Sequence, residues 1–212
     1  IGAVGGPIIL PNGALQEAGS IIWRDGSCLG YGRHDDPSLG SYMFHREVDY
    51  CSGAFLMIRD GVFQDMGGFD DLYAPAYYEE TDLCMRIRAS GYRILYDPRA
   101  AIDHFEFGSL TKRSTAHEWQ SKNREKFREK HARALATQHL PPGQENVVTA
   151  RLRDDRPRIL FIEDRVPLQD VGAGLPRANE ILQGMVNAGF FVTFLPSTHP
   201  HEEWSDVWSA VP

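Results

Sequence analysis

Two neighbouring motifs, Gly67-Gly68-Phe69-Asp70 and Tyr78-Glu79-Glu80-Thr81-Asp82-Leu83, together place four acidic residues close to one another in the chain. The apolar spacing after the second stretch predicts a helix over 79–90, which Gly91 ends. Three acids then lie in the first turn of that helix, where its dipole stabilises negative charge, so helix capping explains them without any activity. The alternative is a carboxylate held ionised at a cleft, which acts as a general base on an acceptor hydroxyl group.

Apolar runs before and after this helix predict a series of strands. They cover residues 1–10, 20–23, 48–59, 92–96 and 100–105, and a long loop at 30–41 separates the second from the third. Strands that alternate with helices indicate an α/β fold. A long helix over 116–136 interleaves acidic and basic residues, which favours a solvent-exposed face. Docking of this helix on an anionic membrane surface is the alternative.

The overall charge argues against a nucleic-acid partner. The 212 residues carry a formal net charge of -7, whereas phosphate backbones bind basic surfaces. No apolar run approaches the roughly 20 residues of a membrane span. The three cysteines are scattered, and no CxxC pair occurs, which favours reduced thiols in a cytoplasmic protein. The chain shows no initial Met and no signal-peptide pattern, so we expect a cut or a fragment.

Residues 140–157 have the composition of a linker, because Pro141-Pro142-Gly143 is followed by polar and charged residues. This linker separates a first domain over 1–139 from a second over 158–212. In the second, a strand over 158–162, a helix over 174–188 and a strand over 191–195 predict the opening of a doubly wound α/β unit. Its glycine-containing loop can accept a phosphate at the helix N-terminus, although it contains neither a G-x-G-x-x-G nor a P-loop motif.

Four motifs, in this order and spacing, resemble those of one enzyme family. They are Val48–Ala54, Gly67–Asp70, Glu79–Arg86 and His104, and together they look like the C-terminal, acceptor-side half of an inverting family 2 glycosyltransferase with a GT-A fold. The resemblance covers about residues 1 to 130 and implies an incomplete GT-A, Rossmann-like mixed sheet with helices. The segment after the linker resembles the start of a GT-B glycosyltransferase domain, and its Glu163-Asp164 pair is also similar to the acidic pocket of a receiver domain.

The resemblance implies roles for the acids and for the turn before them. The second acid of the pair is the catalytic base of the family, a position that holds Glu80 here in place of the usual Asp. Glu79 and Asp82 are the alternatives for that role. Gly68, Phe69 and Asp70 correspond to the turn that shapes the acceptor pocket.

Further positions are carried over in the same way. The family's sheet passes beneath donor and acceptor at three residues, which either contact substrate or support the backbone: Asp49, Ser52 and Gly53. Arg86 is grouped with the substrate-binding residues, and its spacing from Asp82 also suits an ion pair within the helix. His104 matches a position that completes the metal site in some GT-A enzymes, with a hydrogen-bonded structural histidine as the alternative.

The implied chemistry is a single displacement with inversion at the anomeric carbon. A carboxylate takes the acceptor proton, and a divalent cation, Mn or Mg, neutralises the departing nucleoside diphosphate. The implied partners are a nucleotide-sugar donor and a glycan or lipid-linked acceptor, with the protein cytoplasmic or peripheral at the inner membrane face. No Asp-x-Asp motif precedes the acceptor motifs, so we expect the chain alone to be inactive.

Two other functions compete with this interpretation. A non-catalytic carbohydrate-binding or scaffolding module would keep the fold without the chemistry, and the Glu at position 80 favours it. A receiver-type signalling domain in the C-terminal segment would use the Glu163-Asp164 pair.

Overall fold

The computed structural model describes residues 1–106, 113–169, 172, 174–198 and 202–211. The chain divides into two compact units, Ile1–Arg153 and Asp154–Pro212. Within the described ranges, no helix is both long enough and apolar enough to span a bilayer.

The first unit is built on short strands that pair in both directions. They are β1 (Ala3–Gly5), β2 (Ile8–Ile9), β3 (Leu15–Glu17), β4 (Ser20–Ile22), β5 (Cys28–Gly30), β6 (Arg46–Glu47), β7 (Met57–Ile58), β8 (Ile94–Tyr96) and β9 (Ile102–Asp103). One sheet has the order β6-β8-β1-β7, with β1 parallel to β8 and antiparallel to β7. A second has the order β3-β2-β9, and β4 and β5 form an antiparallel pair. This mixed pairing confirms the predicted α/β class, and it is consistent with a partial Rossmann-like glycosyltransferase fold.

The helices of the first unit are α1 (Asp60–Asp65), α2 (Glu79–Ala89), α3 (Arg113–Lys130), α4 (Ala132–Gln138) and α5 (Gln144–Ala150). The described residues also form 3₁₀ turns at Gly40–Tyr42, before β6, and at Asp71–Tyr73, between α1 and α2. The long helix predicted over 116–136 is therefore two helices, which meet at His131.

The strand predicted over 48–59 is largely wrong. Only β7 is regular there, although Tyr50 forms a single bridge with Ser20. The backbone N–H of Ser52 donates to the Glu17 carboxylate at 3.1 Å, so it bonds to a side chain and not to the backbone of a neighbouring strand. A loop therefore occupies this part of the chain.

The core of the first unit joins α2 and α3 to the sheets. On α2 the buried side chains are Leu83, Cys84 and Ile87, and on α3 Phe127 is fully buried. Burial of these apolar side chains fixes the face that each helix turns inward. The solvent-exposed face predicted for the helix over 116–136 is a different face of α3, on which Glu118, Lys122 and Glu125 are exposed.

Part of the segment 140–157 is folded onto the first unit. Within it lies α5, followed by the buried side chain of Leu152. Arg151 donates to the hydroxyl group of Tyr31, and the backbone N–H of Arg153 donates to the carbonyl of Glu47 at 3.3 Å. The boundary between the units accordingly follows Arg153, inside the predicted linker.

The second unit is a strand–helix–strand arrangement. It contains β10 (Arg158–Glu163), α6 (Gly174–Asn187), β11 (Phe191–Pro196) and α7 (Trp204–Ala210). The strands β10 and β11 are parallel and pair in register from Arg158↔Phe191 to Glu163↔Pro196. Parallel neighbours joined through a helix form a βαβ unit. The predicted likeness of this unit to a GT-B domain stays a prediction.

Candidate active site

The loop before α2 brings the two acidic stretches together. The Asp70 carboxylate accepts the backbone N–H of Leu72 at 2.8 Å and thereby caps the turn Asp71–Tyr73. At the other end of the loop, Tyr77 and Tyr78 both have φ of 75°. This left-handed conformation is unfavourable for a bulky residue and persists only where its surroundings hold it.

The first turn of α2 does not use an acid as its N-cap. Tyr78 occupies that position, and its side chain makes no capping hydrogen bond. Glu79, Glu80 and Asp82 are instead in the first turn, where the helix dipole favours negative charge. None of the three acids is therefore the N-cap residue, and their surroundings differ from one to the next.

Glu80 lies against the loop that follows Asp49. A methyl group built on Gly53 would be 3.7 Å from Cβ and Cγ of Glu80, and the Thr81 hydroxyl group donates to Oε1 of Glu80 at 3.4 Å. Burial, followed by the charge of Glu79, raises the pKa of Glu80 to about 7. A carboxylate with that pKa is well matched to accept a proton near neutral pH.

Glu17 is a second buried carboxylate beside this site, and sequence reasoning missed it. Glu17 is the last residue of β3 and is 8% exposed. Its carboxylate accepts the backbone N–H of Ser52, which precedes Gly53. Burial raises the pKa of Glu17, although the hydrogen bond from Ser52 lowers it. The negative charge of Glu17 in turn contributes to the raised pKa of Glu80. The available signal was an acid at the end of a strand, directly before Ala18-Gly19.

Glu79 faces a pocket of about 270 Å³. The walls of this pocket are Phe69, Asp70, Asp71, Tyr73, Ala74, Pro75 and Glu79. Oε2 of Glu79 is buried and has no hydrogen-bond partner in the described part of the chain, and burial raises the pKa of its carboxyl group. A buried acceptor without a donor is suited to a hydroxyl group of a ligand.

Asp82 is fully buried and has a structural role, so the structure speaks against it as the base. Four donors surround its carboxylate: Tyr73 Oη at 3.1 Å, Arg86 Nε at 2.6 Å, Lys130 Nζ at 2.7 Å and His131 Nε2 at 2.7 Å. Burial opposes ionisation, but the hydrogen bonds from His131, Lys130 and Arg86 outweigh it and lower the pKa of Asp82. Its lone pairs are thus occupied by the protein.

Arg86 supports the Gly67–Asp70 turn, and all three nitrogens of its guanidinium group donate to other groups of the protein. Besides the predicted pair with Asp82, Nη1 donates to the carbonyl of Met66 at 2.6 Å and Nη2 to that of Gly68 at 2.8 Å. The substrate contact predicted for Arg86 is therefore replaced by a contact with the turn.

Asp49 likewise supports the fold. Its carboxylate is 2% exposed and accepts the backbone N–H of Ile22 at 2.8 Å, together with Arg88 at 3.2 Å and Arg153. The alternative of backbone support is thus the one that the geometry favours for Asp49. Ser52 and Gly53, in contrast, border Glu17 and Glu80.

His104 follows β9, and among the described residues only its Nδ1 makes a hydrogen bond. Nδ1 lies 2.8 Å from Oε1 of Gln16, which only accepts, so Nδ1 carries the proton and Nε2 the lone pair. Metal-binding histidines are commonly oriented in this way. The described residues contain no group of three or more His, Cys, Asp and Glu side chains that could hold a metal ion. His104 therefore fits as a single ligand, and a cation would need others.

One face of α3 completes the site, and sequence reasoning also missed its residues. Lys130 Nζ contacts the carboxylates of Asp70 and Asp82, each at 2.7 Å. Nε2 of the next residue, His131, also contacts Asp82 at 2.7 Å. Asn123 is one turn before the buried Phe127 and contacts the loop before α2. The available signal was an asparagine at i,i+4 spacing from an apolar residue in a charged helix.

The architecture and the site define a class: an α/β protein with a partly buried glutamate of raised pKa beside an acidic pocket. No protein-family model matches the chain. Uncharacterised protein y4gI of Sinorhizobium fredii is 29% identical over 133 residues, which are 60% of this chain and 14% of that protein.

Two further relatives have named activities. Rhamnosyltransferase WbbL of Escherichia coli K12 is 38% identical over 58 residues, 27% of this chain and 22% of that protein. The N-acetylglucosaminyl-diphospho-decaprenol L-rhamnosyltransferase of Mycobacterium tuberculosis is 33% identical over 72 residues, 34% of this chain and 23% of that protein. The chain spans less than a quarter of the length of these three relatives, and it is similar to glycosyltransferases.

Proposed function

We propose that the chain forms the acceptor side of an inverting glycosyltransferase, which transfers a sugar from a nucleotide-sugar donor to a glycan or lipid-linked acceptor. The observation that carries the proposal is the placement of Glu80 at the start of α2, partly buried and with a pKa raised to about 7. Similarity to rhamnosyltransferases supports the class of reaction.

In the proposed reaction, Glu80 takes the proton of an acceptor hydroxyl group. The acceptor oxygen forms a bond to the anomeric carbon while the bond from that carbon to the diphosphate oxygen breaks, so the nucleoside diphosphate leaves with the electron pair. Glu79 orients the acceptor through its free Oε2, and the exposed ring of Phe69 offers an apolar wall for a sugar ring.

His104 would hold a divalent cation, Mn or Mg, through Nε2. When bound, such a cation neutralises the charge that develops on a leaving diphosphate. Gln16 holds the imidazole in the tautomer that has its lone pair on this nitrogen. Further ligands would have to come from outside the described side chains or from the donor itself.

The location and the partners are part of the same proposal. We expect a cytoplasmic protein, because its three cysteines are scattered and form no CxxC pair. We also expect no binding to nucleic acid, because the formal charge of the chain is -7. A lipid-linked acceptor would bring it to the inner membrane face, and the exposed Phe69 and Leu72 offer apolar contact near the pocket.

The test is sugar transfer by the full-length protein that contains this chain, over a panel of nucleotide sugars with and without Mn²⁺ or Mg²⁺. Glu80→Gln should lower kcat by about 10²–10⁴-fold, the usual contribution of a general base. Glu118→Gln, on the exposed side of α3, is the matched control and should leave the rate unchanged. Full activity of Glu80→Gln would place the base elsewhere.

The second candidate is a carbohydrate-binding module without transferase activity. It is favoured by Glu at position 80, where the resembled family usually has Asp, and by a pocket that could bind a sugar without reaction. Glycan binding that Glu79→Gln abolishes, with no transfer from any donor, would support this candidate over the transferase.

A further inference from the structure

The loop that precedes Glu79 is held by one buried amide from α3. The Asn123 side chain is 1% exposed, and its Nδ2 lies 2.7 Å from the carbonyl oxygen of Tyr73, 2.9 Å from that of Ala76 and 3.0 Å from that of Tyr77. A single NH₂ group thus contacts carbonyls at both ends of the loop.

The orientation of this amide is determined by its neighbour on the helix. Lys126 Nζ donates to Oδ1 of Asn123 at 2.9 Å and to the carbonyl of Leu72 at 2.6 Å. An ammonium group can only donate, so the amide must turn its oxygen to Lys126 and its NH₂ group to the three carbonyls. Lys126 and Asn123 therefore act as one clamp on the loop.

The clamp acts where the backbone is strained. Tyr77 and Tyr78 take the left-handed conformation in succession, and Glu79 and Glu80 begin α2 immediately afterwards. Two such residues without glycine need contacts that outweigh the strain. If the clamp is released, the chain can relax through these residues and turn Glu80 away from Gly53.

We propose that Asn123, oriented by Lys126, is a positioning residue that keeps Glu80 in its place at the start of α2. The proposal rests on the proposed function for its consequence in catalysis. Its geometric content, however, can be measured without any sugar transfer.

The test combines an NMR titration of the Glu80 carboxyl group with hydrogen exchange of the Asp82 amide, which donates to the Tyr78 carbonyl at 2.8 Å. Asn123→Leu removes the three contacts without adding charge, and Lys126→Met releases the amide while leaving it in place. The matched controls are Asn146→Leu, which removes one donor to the Pro141 carbonyl, and Lys122→Met on the exposed side of α3.

Release of the loop should expose Glu80, so its pKa should fall from about 7 toward 4.5, and the Asp82 amide should exchange faster. Loss of the Lys126 cation alone would raise a carboxyl pKa, so a fall in Lys126→Met reports movement. If Asn123→Leu does not fold, Lys126→Met decides. An unchanged pKa and unchanged exchange in the folded variants would overturn the proposal.

The same measurements separate this inference from the proposed function. If Glu80→Gln keeps full activity but the clamp variants shift the titration, the transferase mechanism fails and the clamp stands. If Glu80→Gln abolishes transfer while both clamp variants titrate like the wild type, only the clamp fails.

Discussion

Glu79, Glu80 and Asp82 lie in one helical turn, yet each carboxylate has different surroundings. Four protein donors satisfy Asp82. Glu79 lines the pocket and has a buried oxygen that lacks a hydrogen-bond partner among the described residues, and Glu80 packs against Gly53 with Glu17 nearby. Environments of this kind separate the pKa values of neighbouring acids and so separate their roles.

The negative charges of Glu79 and Glu17 should set the pKa of Glu80. Both raise its pKa, and Glu79 has the larger effect, so Glu79→Gln should lower the Glu80 pKa more than Glu17→Gln does. The acid limb of kcat/KM should then move to lower pH in the same order, because the base ionises earlier. Cys28 and Tyr50 also face this cluster, and burial raises the pKa of both groups above its ordinary value. Carboxyl titration by NMR checks the order, which an unchanged Glu80 pKa in Glu79→Gln would contradict.

The helices α2 and α3 are joined by a buried ionic contact as well as by apolar packing. Asp82 on α2 meets Lys130 at the end of α3, and His131 follows in the junction to α4. Lys130 also reaches Asp70, so one ammonium group ties the loop to both helices. A buried charge contributes to stability only while its partners are present.

Asp82→Asn should therefore destabilise the first unit by about 3 kcal/mol, because Arg86 and Lys130 lose the buried charge with which they pair. The Asp82 pKa is lowered on folding, so its contribution is present above the ordinary value of 3.8 and is lost as pH falls below it. Urea unfolding at pH 7 and pH 3 measures both effects, with the exposed Asp65→Asn as the control. Equal stability of Asp82→Asn and wild type at pH 7 would show that the cluster adds nothing.

The first unit extends past the predicted domain end at residue 139. Arg153 binds the buried Asp49, and Leu152 is buried beside it. His139 also lies close to Asp49, with Nδ1 at 3.6 Å from its carboxylate. The C-terminal segment of this unit therefore compensates a charge in the middle of its sequence.

A fragment that ends at residue 153 should be more stable than one that ends at 139. The shorter fragment leaves Asp49 without Arg153, a loss of about 3 kcal/mol for a broken buried pair. Within the longer fragment, Arg153→Met should reproduce most of the loss, and the exposed Arg133→Met should not. Chemical unfolding of the purified fragments compares them directly, and identical midpoints for the two lengths would refute the expectation.

The α/β class and the start of α2 could be predicted from the sequence, as could the grouping of Asp70 with Glu79, which line the same pocket. Those features depend on short-range signals: apolar spacing, glycine stops and a dense acidic stretch. The Asp82–Arg86 pair also followed from the spacing of these residues in the sequence. Only the tertiary structure decided the roles of Asp49 and Asp82 and showed the contributions of Glu17 and Asn123. Their partners are far away in the chain, as Asn123 is from Tyr73 and Asp49 from Arg153. Hydrogen bonds between such distant side chains leave no periodic pattern in the sequence, so only folding shows which polar groups meet.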